Sequence, residues 1–169
     1  MANPLSALIV LAEVLVAFVA FAVIVASIRV TFGQKLTPFQ LLLVHFFTES
    51  GMLAMSFPLL AIVLYQFWPD ELRVATITTW YSFLMILAYL AYYLRRRIKI
   101  KAPTPILSLL NIVVWVVWVT ILGITLTEKF WLPSLALIAA LTFWGLISAA
   151  VIFISFLSEF LGGDHSNGR

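Results

Sequence analysis

Three ionisable side chains stand inside long apolar stretches of this chain: Glu13, His45 and Glu49. An ionisable group at membrane depth costs a few kcal/mol, so each is a functional candidate by default. His45 and Glu49 are spaced i, i+4, which on a helix stacks them on one face. A carboxylate there can hold the imidazole's tautomer and shift its titration. Glu13 shares its helical stripe with Ala17, Ala20 and Ser27, all small enough to admit another helix. His45 and Glu49 continue into Met52 and Ser56, with Gly51 and Ala54 beside them. These surroundings predict that all three groups point into protein or a water-lined cavity, because lipid would leave their polar atoms unpaired. A fourth polar candidate, Asn111, shares a face with Ser108 and Trp115.

With a rise of about 1.5 Å per residue, Glu13 falls roughly 5 Å to one side of the bilayer midplane and Glu49 about as far to the other. His45 lies one turn deeper than Glu49, and Asn111 near the depth of His45. A stepped series of carboxylates and imidazole suits proton relay, and acidic groups select cations. The competing reading makes Glu13 and Glu49 protonated acids bonded to neighbouring helices, since desolvation favours the neutral form. Asn111, Trp115 and Trp118 serve helix packing equally well.

Other chemistries lack parts. The chain has no cysteine, so thiolate metal sites, iron–sulfur clusters and cysteine nucleophiles are absent. His45 and Glu49 supply two metal ligands, but Glu13 sits roughly 9 Å away along the membrane normal if the helices stand upright; no metal site is assigned. There is no HExxH, no second intramembrane histidine for bis-His haem, and no lysine within a span for a Schiff base. Phosphate-cradling glycine loops and a nucleophile elbow are missing. No enzyme activity and no cofactor are expected.

The elements that must position these residues are legible from composition. Hydrophobic residues make up 64% of the 169 and charged ones 10%, with a mean hydropathy of +1.13. Soluble domains run nearer half apolar and about a quarter charged, and disordered chains are polar. Spans of roughly 20 apolar residues fit five times. They fall at about 4–28, 39–65, 72–94, 105–126 and 132–158, predicting an all-α polytopic membrane protein. Residues 1–169 form a single transmembrane helical domain with no soluble domain, and 162–169 a short flexible tail. Met1–Ala12 lacks Lys and Arg and leads into an apolar run too long for a signal h-region, so a cleaved signal is not expected.

Thr37-Pro38 and Thr104-Pro105 each place a cap acceptor before a proline at the first helical position. Trp68-Pro69-Asp70-Glu71 opens the third span with acidic residues at the positive helix end, and Trp131-Leu132-Pro133 opens the fifth. Pro58 interrupts the second span and frees the Ala54 carbonyl, which calls for a protein-lined neighbourhood.

Arg29 and Lys35 mark one turn and Arg95, Arg96, Arg97, Lys99 and Lys101 another, whereas Asp70, Glu71 and the Glu128–Lys129 pair mark the alternate turns. Basic turns stay cytoplasmic, which predicts N-out, C-in topology in an inner or plasma membrane. Tyr65, Phe67, Trp68, Phe130 and Trp131 would form the outer aromatic belt, and Tyr92 and Tyr93 the inner one. The contiguous arginines lack the every-third spacing of a voltage sensor and read as a topology anchor with lipid-headgroup contact. The +3 charge therefore reflects topology, not nucleic-acid recognition.

The favoured functional expectation is a small ion-conducting protein, for protons or cations, working as a homo-oligomer because five helices do not easily enclose a hydrated pore. Its pathway residues would be Glu13, His45, Glu49 and Asn111. The alternative is a non-catalytic accessory or assembly subunit of a larger membrane complex.

Overall fold

The structure is a computed structural model and describes residues 4–31, 38–100, 106–127 and 132–162. They form five helices: α1 (Pro4–Thr31), α2 (Pro38–Phe67), α3 (Glu71–Ile100), α4 (Ile106–Leu126) and α5 (Leu135–Gly162). All five are long and apolar enough to cross a membrane. The expected spans match these helices to within a few residues. α3 departs most, running on to Ile100 past Arg95 and Arg96. Basic residues in a last turn face the negative helix end, so the charge that ends the apolar run does not end the helix.

Helix starts follow the turn chemistry, with one change of detail. Pro4 and Pro38 are first helical residues, where a missing N–H is harmless. Asp70 caps α3, its Oδ1 accepting from the Leu72 and Arg73 N–H groups at 3.1 and 3.3 Å. At α5 the cap is Ser134, whose Oγ accepts from Leu137 N–H at 3.2 Å, so Pro133 precedes the cap and does not open the helix. The turn residues Lys35, Thr37, Lys101, Thr104, Pro105, Glu128, Lys129, Phe130 and Trp131, and the tail from 163, lie outside the described residues.

α2 and α5 make the most extensive contact, and α1 packs across both. α3 touches α2, α4 and α5, while α4 reaches only α3 and α5 among the described residues. Small residues allow the central approach. A Cβ added at Gly145 of α5 would lie 2.5 Å from the Cβ of Ala54 on α2, and one at Gly51 would lie 2.6 Å from Val19 Cγ2 on α1. Ala54 and Pro58 are buried, so the carbonyl freed by the proline faces protein as expected. Thr142, Gly145, Ser148 and Ala149 form the buried strip of α5. Toward the far end of the same three helices Phe18, Phe47 and Phe153 meet edge-on or tilted, with centroids 5.6–5.8 Å apart.

Tyr93 departs from the interfacial belt. It is buried against Phe46, ring centroids 4.5 Å apart, whereas Phe67, Trp68 and Tyr92 are exposed as expected. Hydroxyls within the apolar helices mostly bond their own backbone: Thr48 to Val44 O, Thr79 to Ala75 O and Thr142 to Ile138 O, at 2.7–2.9 Å. Such back-bonding satisfies a polar group without a second helix.

Candidate functional site

Of the four residues expected to form a path, Glu13 stands apart from the other three. It lies on the exposed face of α1, together with Ala17, Ala20 and Ser27. The face that packs is Leu8, Ala12 and Leu15, with Phe18 and Val19 continuing toward α2 and α5. Glu13 therefore does not pack within the described bundle, and protein facing it would have to come from outside this set of helices. The physical reason is that α1 is apolar nearly all round, so no periodicity distinguishes a core-facing stripe. The small residues beside Glu13 do mark a surface another helix can approach, but none of the described helices occupies it.

His45 and Glu49 are half-buried on one stripe of α2 that continues into Met52, Leu53 and Ser56. Opposite them on α3 runs the stripe Tyr81, Met85, Ala88, Tyr89, Tyr92. The two stripes wall a lateral groove of about 450 Å³, with Glu49 among its lining residues. Met52 is 57% exposed, so this face opens sideways and is not sealed in the bundle.

Glu49 is held by a residue assigned only to topology on sequence grounds. Arg96 Nη1 donates to Glu49 Oε1 at 3.1 Å, with 31% of the arginine side chain and 38% of the glutamate side chain exposed. The pairing has a simple origin. Side chains on a helix lean toward its N-terminus, and α2 and α3 run antiparallel. Glu49 therefore leans toward the Arg96 end, and Arg96 leans back toward Glu49. Depth counted from the connecting turn puts the two about two turns apart, which hid the pair. The lean of two long side chains is the signal that finds it. Nearby, Tyr89 Oη donates to Phe46 O at 3.4 Å, joining α3 to α2 at this level.

Asn111 is 4% exposed, and Trp115 on the same face is buried too; the side chain of Ser108 is outside the described residues. Trp115 Nε1 donates to Ser148 Oγ at 3.2 Å, linking α4 to α5. Both amide atoms of Asn111 are buried without a protein partner, as are His45 Nδ1, Thr78 Oγ1, Ser82 Oγ and Trp144 Nε1. Thr78, Ser82 and Trp144 carry no signal in the sequence, because small hydroxyls and a mainly apolar indole leave no mark in an apolar run. No group of three or more His, Asp or Glu side chains able to hold a metal gathers among the described residues.

These features define a class: an all-helical bundle of five helices long and apolar enough to cross a membrane, with a braced carboxylate beside a lateral groove and a second carboxyl on an outer face. Compared with known proteins, the chain matches no family model, no curated protein and no solved structure.

Proposed function

We infer that the chain is a non-catalytic subunit of a membrane assembly, held in the bilayer by five spans and joined to a neighbouring subunit through the Glu13 face of α1. The observation that carries this reading is the exposure of Glu13 within an apolar helix, beside Ala17 and Ala20. A carboxyl facing acyl chains has no hydrogen-bond partner, whereas one facing another helix gains one. The occupant that needs fewest assumptions is a second copy. A protonated carboxyl both donates and accepts, so it complements itself across a two-fold axis, and two-fold dimers are the commonest oligomers. The charge pattern of the turns supports N-out, C-in insertion in an inner or plasma membrane.

Extracted in mild detergent, the unmodified 19.0 kDa chain should run as a particle of at least two copies. Glu13→Leu should dissociate it while leaving the helices formed, and Glu13→Gln should largely preserve it. A monomeric unmodified chain, or a Glu13→Leu variant of unchanged mass, would remove this reading.

The ion-pathway reading stands second. It is favoured by the buried Nδ1 of His45, which has no partner among the described residues and lies one turn from Glu49. Against it, Arg96 sets a fixed positive charge on Glu49, and Glu13 faces away from both. Proton flux into proteoliposomes reads it directly. Relay through the imidazole predicts that His45→Gln shifts the pH dependence, and absence of flux from the unmodified chain at every pH excludes it.

A further inference from the structure

The α2–α3 groove has an owner that neither reading above assigns. Its walls are Met52 and Ser56 on one side and Met85, Ala88 and Tyr92 on the other, with Glu49 at the end nearest Arg96. The wall residues are largely apolar, and two methionines give the surface a pliable lining. Its volume of about 450 Å³ lies in the range of small-ligand sites. The groove is open along one side and spans two turns of α2, from Glu49 to Ser56. A flexible hydrocarbon chain fits, and in a bilayer the open side of the groove faces acyl chains.

The charged end selects the headgroup. Arg96 spends one donor on Glu49, and a guanidinium carries five N–H groups. Arg95, one turn beyond Tyr92 on α3, is exposed, so these two arginines and one glutamate leave a net positive charge just past the Glu49 end of the groove. The depth is right for a phosphate. From Glu71 to Arg96 the helix advances roughly 37 Å, more than the roughly 30 Å hydrocarbon core, which brings Arg96 to the headgroup boundary. Basic residues at that boundary attract anionic lipid.

We propose that the α2–α3 groove is a binding site for one anionic phospholipid, its acyl chain lying between Met52 and Met85 and its phosphate meeting Arg96 beside Glu49. The site requires the chain to lie in a bilayer but does not depend on the α1 contact, so the Glu13→Leu variant should keep it.

The test is native mass spectrometry of the full chain after detergent exchange from nanodiscs containing phosphatidylglycerol and phosphatidylcholine with identical acyl chains. The unmodified chain should retain one phosphatidylglycerol with at least a roughly tenfold preference over phosphatidylcholine. Ala88→Trp fills the groove from an exposed position and should abolish retention of both lipids. Met85→Trp fills it from the next turn and gives the same reading should the first variant not fold. The triple variant Glu49→Gln, Arg95→Gln and Arg96→Gln removes both arginines without stranding the carboxylate, and should lower the preference to about one while keeping the groove. Equal retention of the two lipids by the unmodified chain would overturn the proposal. So would undiminished phosphatidylglycerol retention in a folded groove-filled variant.

Discussion

Gly145→Ala should lower the thermal midpoint of the bundle more than any other single-methyl addition among the described residues. The new Cβ would stand 2.5 Å from the Cβ of Ala54. That obstacle is a methyl fixed to a helix backbone, with no rotamer through which to retreat. Alanine improves helix propensity over glycine by about 1 kcal/mol, which taken alone would stabilise α5. Overpacking costs about 1–3 kcal/mol and sets the sign here, because α2 and α5 form the central contact that the other helices pack around. Gly51→Ala meets Val19 Cγ2 at 2.6 Å. Val19 belongs to the peripheral α1, which can move outward, so the loss should be smaller. Gly145→Leu should prevent the native bundle from forming. Unfolding in one detergent should rank the unmodified chain above Gly51→Ala and both above Gly145→Ala. Equal stability of Gly145→Ala and the unmodified chain would mean that α5 does not approach α2 at this point.

Arg96→Gln should destabilise more than Glu49→Gln, although the two remove the same ion pair. Arg96 stands near the end of α3, and its long stem can carry the charge to the interface when Glu49 is neutralised. Glu49 lies well inside α2 and has no such escape once the guanidinium is gone. About a third of each side chain is exposed, so water-exposed pairs, at about 0–1 kcal/mol, set the lower bound. Exposure to acyl chains is not solvation, so Arg96→Gln should cost about 1–3 kcal/mol and Glu49→Gln less than about 1. Restoring neutrality by adding Glu49→Gln to Arg96→Gln should recover most of the loss. Chemical unfolding of the three variants in the same lipid or detergent mixture checks the order. Equal effects of the two single variants would show that the pair does not form.

Much of this molecule is legible in its residue order, for identifiable reasons. Five apolar runs had to become helices, because only an internally bonded backbone suits so little polar surface. Pro38 and Asp70 placed helix starts because each acts through its own backbone or its immediate neighbours. Asn111 and Trp115 share a face because of their i, i+4 spacing, but it is the packing of α4, not the spacing, that buries them. α1 is apolar nearly all round, and the outward aim of Glu13 could not be read from it. Arg96 was hidden for a different reason: charge in a basic turn explains itself by topology, so nothing in the turn calls for a partner. Only the antiparallel register of α2 and α3 brings its guanidinium to Glu49.

The α1 contact is the centre of this account, and disulfide formation in intact membranes tests it most directly. The chain contains no cysteine, so a single one reports alone. Ala17→Cys lies on the exposed stripe one turn from Glu13, and Val117→Cys lies on an exposed face of α4 as the control. Under a membrane-permeant oxidant, Ala17→Cys should form a cross-linked dimer, Val117→Cys should remain monomeric, and adding Glu13→Leu should abolish the Ala17 cross-link. Failure of Ala17→Cys to cross-link, or cross-linking at both positions alike, would contradict a contact between copies through the Glu13 face.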